Sequence, residues 1–209
     1  MARKLTLLII FFLGLGIYDL GASPVDATSP TSIALPSPES QPMAKPRQDL
    51  PGLPNFAKVS DHLYRGAQPT AEGFATLKKM GIKTVVNLRA LSSDRSLLKG
   101  SGLEYAHIYS KAWHPEKEDI LSFLKIMQNS TNWPVFVHCT FGSDRTGMMV
   151  ASYRMVEEGW NTKETFQEMD QFGFHPIFIS IKKLLLEMNW KMVKEELKSI
   201  PDPLIETIK

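Results

Sequence analysis

The sequence predicts an α/β domain, because short β-branched runs alternate with stretches of helical periodicity and the most apolar run ends in a turn that opens another helix. A central, mostly parallel sheet flanked by helices is what such alternation builds. Leu63 to Pro69 reads as a short strand running into a turn. Thr70 to Gly81 reads as a helix, since Phe74, Leu77 and Met80 recur on one face and Gly81 supplies a stop. Ile82 to Leu88 is a β-branched strand, Ser92 to Gly102 a short helix or loop, and Leu103 to Tyr109 an alternating strand. Glu116 to Ser130 is helical, with Ile120, Phe123, Leu124 and Met127 on one face, and Pro134 to Cys139 is a buried strand. Helices follow at Thr146 to Glu158, Thr162 to Gln171 and Pro176 to Lys198.

The amino-terminal fifth reads differently. Arg3 and Lys4 precede an apolar stretch from Leu5 to Ile17, and small residues suited to cleavage follow at Ala22 and Ala27. That layout predicts a signal peptide over 1–27 and an exported, periplasmic or secreted protein. The alternative is an uncleaved membrane anchor, the one membrane contact expected. Residues 28–54 read as a disordered linker: eight of the chain's fourteen prolines fall between Ser23 and Pro54, with few large apolar residues to offset ordering entropy. One domain remains at 55–209. A net charge of +2 with interspersed signs supplies no reason to expect nucleic acid. The single cysteine cannot form an intramolecular disulfide, and no Cys/His cluster has zinc-ligand spacing, so neither metal nor cofactor is expected.

That cysteine carries the chemical argument. In "FVHCTFGSDRTG", Cys139 closes a central strand and the residues after it turn into a helix. Ligands bind beyond the carboxyl ends of strands in open α/β sheets, and a helix N-terminus offers unpaired N–H groups to an anion. The spacing from Cys139 to Arg145 lets the backbone of Thr140, Phe141, Gly142, Ser143, Asp144 and Arg145 curl around one point, a nest for phosphate oxygens. Gly142 permits a positive-φ turn and Gly147 close helix packing. Arg145 offers a planar fork of donors to two phosphate oxygens. The helix's positive end and Arg145 favour the Cys139 thiolate, which attacks phosphorus in line to form a cysteinyl-phosphate that water hydrolyses. The Thr146 hydroxyl lies where it can hydrogen-bond the departing sulfur. His138 is expected to bond the loop backbone, with direct proton transfer as the alternative.

"HCTFGSDRTG" resembles the signature of the cysteine-dependent phosphatases at His138, Cys139, Gly142, Arg145, Thr146 and Gly147. "LYRGAQPT" and "GIKTVVNLR" are similar to the opening of compact atypical dual-specificity phosphatases, and the resemblance spans about residues 55–185. It implies a dual-specificity-phosphatase-like fold and metal-independent hydrolysis of a phosphoprotein, phosphoinositide or inositol phosphate. A catalytically inactive phosphate-binding module and a rhodanese-like sulfurtransferase are the alternatives; the presence of both Cys139 and Arg145 opposes the first, and His138 with Thr146-Gly147 opposes the second.

The departure from the family lies in the general acid, since no aspartate occurs between Leu103 and Pro115. Asp144, inside the loop, is the leading candidate, as in related loops of the Cys-x-x-Gly-x-Asp-Arg-Thr form, with Glu116 and His114 behind it. Glu116, Glu118 and Asp119 also read simply as the acidic first turn of a helix. Arg89 projects from a strand end on the same rim, where it binds a second phosphate or pairs in a salt bridge; Lys111 and Arg95 are weaker candidates. Arg65 reads as structural, and His175, in the turn before the last helix, receives no role.

Overall fold

The computed structural model describes residues 42–208, so the expected signal peptide and residues 28–41 of the expected linker lie outside the described residues. Within them the β-branched runs pair as one six-stranded sheet. Its strands are β1 (Ala57–Lys58), β2 (Leu63–Gly66), β3 (Thr84–Asn87), β4 (Glu104–His107), β5 (Val135–His138) and β6 (Glu206–Thr207), in the order β1-β2-β5-β3-β4-β6. The inner four are parallel and the two short edge strands antiparallel, which agrees with the mostly parallel α/β expectation. β1 and β6 leave no mark in the sequence, because two residues cannot display a period.

Alternation along the strands divides the apolar residues between two cores. Val135 and Val137 of β5 enter one, with Val86 and Ala106; Phe136 enters the other, with Val85 and Tyr105. The second core is closed by α1 (Ala71–Lys79) and α2 (Arg95–Leu98) through Phe74, Leu77 and Leu98. The first is closed by α3 (Lys117–Gln128), α4 (Asp144–Glu157), α5 (Thr162–Gln171), α6 (Ile179–Glu187) and α7 (Trp190–Glu196). α4 packs against α3, α5, α6 and α7, and nearly all its side chains are buried. A helix so enclosed cannot slide, so the loop feeding its first turn is held in place.

Local signals set most helix ends. Thr70 Oγ1 accepts from Gly73 N at 3.2 Å to cap α1, and Asn161 and Glu164 form a reciprocal capping box on α5. The continuous helix expected over Pro176 to Lys198 is instead a 3₁₀ turn at Pro176–Phe178, then α6 and α7. Asn189 makes the break: its side chain accepts from Met192 N at 3.2 Å and starts a new helix where apolar periodicity alone runs on.

The boundary expected at residue 55 also moves. Ala44 and Leu53 are buried, Arg47 pairs with Phe56 as an antiparallel bridge, and Ala44 N donates to Glu168 Oε1 at 2.7 Å. Residues 42–54 therefore belong to the folded body despite their proline content. Composition misleads here because backbone pairing and one buried carboxylate, rather than apolar side chains, tie the segment down. Glu168 also takes Arg154 Nε at 3.2 Å and Nη2 at 2.7 Å, and both side chains are buried. Glu168→Ala leaves Arg154 without this partner and is expected to cost about 3 kcal/mol, read as a lower urea midpoint, with residues 42–50 the first released to protease.

Candidate active site

Register places the site. Gly66, His138, Asn87 and His107 lie in one row across β2, β5, β3 and β4, so four strands end together. Cys139, Leu88 and Ala67 leave the sheet side by side at that edge. The loop Cys139 to Ser143 then connects β5 to α4 within five residues.

Four of its five carbonyls are held from outside, and the fifth, Ser143 O, accepts from Gly147 N at 2.9 Å in the first turn of α4. His138 Nδ1 lies 3.3 Å from the Cys139 carbonyl, Gln68 N donates to Thr140 O at 3.2 Å, Asn55 Nδ2 to Phe141 O at 3.0 Å, and Arg65 Nη2 to Gly142 O at 2.8 Å. With the carbonyls turned outward, the N–H groups of Thr140 to Thr146 find no acceptor among the described residues. Seven consecutive unpaired amides at the start of a buried helix form an anion nest. Gly142 makes the curl feasible: its φ is +73°, and a Cβ there would fall 2.5 Å from the Gly66 carbonyl carbon.

Cys139 is free, buried to 2 % exposure, and forms the floor of this nest. Arg145 folds across it, with Nη1 donating to Leu88 O at 3.2 Å and Ser110 O at 3.3 Å, and Nη2 to Thr140 Oγ1 at 3.3 Å. Its Nε, like the Thr146 hydroxyl, is buried with no partner among the described residues. Phe141 is exposed on the rim, and Ser143 Oγ is turned away to Phe172 O at 2.8 Å, so Ser143 contributes its backbone alone.

Arg65 is structural, as its sequence context suggests. It is fully buried, stacked 3.6 Å over the Phe172 ring, and burial pushes its pKa down to about 10. Its hydrogen bond from Nη2 to Gly142 O places a costly buried cation behind the nest. Arg89 is not free on the rim: it pairs with Asp94, Nη2 to Oδ1, at 2.7 Å. Arg95 turns to Glu206, donating from Nε at 2.8 Å, and so does not join the cradle.

Asp94 carries no motif and is the buried centre of the cluster. Its carboxylate accepts from His138 Nε2 at 2.9 Å, Gln68 Nε2 at 2.9 Å and Arg89 Nη2 at 2.7 Å. Burial opposes its charge, but the His138 and Gln68 hydrogen bonds and the charges of His138 and Arg89 outweigh it and hold the carboxyl below its ordinary value. Through His138 and Gln68 it fixes the two groups that grip the Cys139 and Thr140 carbonyls.

The acid candidates separate. His114 and Glu116 stand 3.7 Å apart, largely exposed, and no hydrogen bond joins either to the cradle among the described residues. Glu118 and Asp119 lie in the first turn of α3, the helix-end role their spacing suggests; burial raises the Asp119 carboxyl. Lys111 bridges to His114 across their exposed turn. Asp144 is the first residue of α4, and its carboxylate is buried against His175, accepting from His175 N at 2.8 Å and meeting the ring Nδ1 at 3.0 Å. It faces neither solvent nor a lysine. Asn55, Gln68, Asp94 and His175 all escape sequence reasoning, because each reaches the loop from a distant part of the chain.

Residues 51–178 match the family model described as "DSP-PTPase phosphatase fused to NAD+ Kinase". The chain is 33 % identical over 121 residues to the dual specificity protein phosphatase TpbA of Pseudomonas aeruginosa, covering 57 % of this chain and 55 % of that protein. It is 29 % identical over 128 residues to the inositol diphosphatase DSP5 of Arabidopsis thaliana, covering 55 % and 60 %. The chain thus spans little more than half the length of these curated relatives. The crystal structure of TpbA superposes with a TM-score of 0.65 at 24 % identity, covering 75 % of this chain and 97 % of that one. The catalytic core of SIW14 from S. cerevisiae superposes with a TM-score of 0.63 at 20 % identity, covering 75 % and 100 %. Both show the same fold.

Because its carboxyl is held below its ordinary value, Asp94 stabilises the fold fully above an unfolded carboxyl pKa of about 4, and that contribution fades as pH falls through the lowered folded value. Asp94→Asn is expected to cost about 3 kcal/mol at pH 7. The gap to the unsubstituted protein should narrow in acid, as measured by urea unfolding at pH 7 and pH 3.

Proposed function

Since this chain belongs to the DSP-PTPase phosphatase family, we propose that it hydrolyses phosphomonoesters through a cysteinyl-phosphate on Cys139. The observation that carries the reading is the nest itself: seven amides without acceptors, a buried thiol at their centre and an arginine folded over them. In the first step the Cys139 sulfur attacks phosphorus, and the amides of Thr140 to Thr146 receive the three non-bridging oxygens. Arg145 holds two of them as charge spreads in the transition state, when its Nε becomes available to an oxygen. In the second step water attacks the thiophosphate and the sulfur leaves, with the partnerless Thr146 hydroxyl placed to hydrogen-bond it.

Phosphorylated protein, phosphoinositide and inositol phosphate are the substrate classes proposed. A TpbA structure holds phosphotyrosine and DSP5 is named an inositol diphosphatase, which supports this range. The exposed Phe141 on the rim suits the face of a phosphorylated ring. Export, through the segment read as a signal peptide, belongs to the same proposal and is checked by fractionating cells that express a tagged chain.

With chelator and reductant present, the protein is expected to release phosphate from an aryl phosphate. Cys139→Ser should abolish release, and Arg145→Lys should lower kcat by about a hundredfold or more, since lysine cannot offer the planar fork. Release of phosphate by Cys139→Ser at the unsubstituted rate would overturn the reading.

A further inference from the structure

We infer that His175 is the proton donor to the leaving group, with Asp144 as the residue that orients it; this rests on the phosphatase reading above. Asp144 is bonded to His175 twice over. Its oxygens take the His175 backbone N–H at 2.8 Å and lie 3.0 and 3.1 Å from His175 Nδ1. The backbone N–H makes the carboxylate an acceptor, and with the ring proton assigned to Nδ1 it accepts a second time and has no proton turned to the cradle. Its side chain is 6 % exposed, whereas that of His175 is 50 % exposed. With Nδ1 donating to the carboxylate, Nε2 is the ring's open position, and the tautomer is set by the bond on the other nitrogen. Asp144 is the charged group of α4 that meets the ring.

The turn bearing His175 is built into the cradle. Ser143 Oγ donates to Phe172 O at 2.8 Å, and Asn55 Nδ2 bridges Phe141 O and Phe172 O at 3.0 and 3.1 Å. Arg65 stacks on the Phe172 ring while bonding Gly142 O. The loop that holds phosphate and the turn that carries the imidazole therefore share one frame. The ring centroid also lies 6.0 Å from that of Phe141, a residue of the loop itself, and 6.4 Å from that of Phe178.

The step balances without another reactant. The S–P bond forms, the P–O bond breaks with its electron pair on the leaving oxygen, and that oxygen takes the Nε2 proton of a His175 imidazolium, leaving the neutral ring with its remaining proton on Nδ1 against Asp144. Water then attacks phosphorus, the S–P bond breaks with its pair on sulfur, and His175 Nε2 takes the water's proton, which restores the imidazolium. This arrangement supplies the acid that the segment before Pro115 lacks.

The test compares the full chain with His175→Gln, Asp144→Asn and Cys139→Ser on two esters: an activated aryl phosphate, whose leaving group departs without protonation, and a phosphotyrosine peptide, whose phenol does not. His175→Gln is expected to lose about a hundredfold more kcat on the peptide than on the activated ester. Asp144→Asn should show the same selectivity at smaller size, since an amide oxygen still accepts from Nδ1. Competitive inhibition by inorganic phosphate in each variant reports an intact cradle. Equal losses on both esters, or no loss on either, would assign His175 a structural role and overturn the inference while leaving the phosphatase reading standing. A selective loss in Asp144→Asn with none in His175→Gln would move the acid to Asp144 itself. If the unsubstituted chain turns over neither ester, the phosphatase reading fails and the inference falls with it.

Discussion

Seven consecutive backbone N–H groups without an acceptor carry a cost, because like-oriented dipoles repel and a buried amide without a partner is destabilised by about 1–3 kcal/mol. The chain can hold them so only if each carbonyl on the reverse side is pulled outward by a group that does not move. His138, Gln68, Asn55 and Arg65 supply those four pulls, and each stands on a different part of the sheet or its connections. Much of the surrounding polar architecture follows from this constraint. It explains a guanidinium with no exposed surface behind Gly142, where an apolar residue would pack at lower cost but grip nothing.

The same constraint accounts for the depth of the polar layer. His138 can hold the loop only in one orientation, and Asp94 sets it from the other ring nitrogen. Asp94 is in turn held by Gln68 and Arg89, and its backbone N–H donates to the Tyr105 hydroxyl. The chain after β3 is thereby tied to the end of β5. Arg89 can accordingly act on the loop through Asp94 without touching an anion. The parallel register makes the cluster possible, since it ends β2, β3, β4 and β5 in one row and brings their following residues within hydrogen-bond reach.

On the far side of α4 a second buried pair, Arg154 with Glu168, anchors the incoming chain at Ala44. α4 thus runs from the anion site at its N-terminus to a structural ion pair near its C-terminus. Its first turn faces chemistry and its last turns face packing. That division fits a helix that is buried on nearly every side and carries its polar residues, Asp144, Thr146, Ser152 and Arg154, inside the fold.

What the sequence determined by itself was local. The strand Val135–His138, the tight loop and the helix after it are contiguous, so their order, the Cys139 to Arg145 spacing and the need for glycine at 142 can be read without a partner. The parallel α/β class was legible for the same reason, since it rests on periods within single runs. The tertiary structure alone decided what grips the loop. Asp94 lies 44 residues before His138, Asn55 lies 86 before Phe141 and His175 lies 31 after Asp144, and none sits in a pattern that marks it. Asp94 and His175 read as an ordinary loop acid and turn histidine until the sheet's register and the packing of α5 bring them to the cradle. A hydrogen bond depends on positions in space, and spacing along the chain predicts those positions only within one element. The proline-rich run at 42–54 shows the converse: its composition described an unfolded tether, and a carboxylate more than a hundred residues away made it part of the fold.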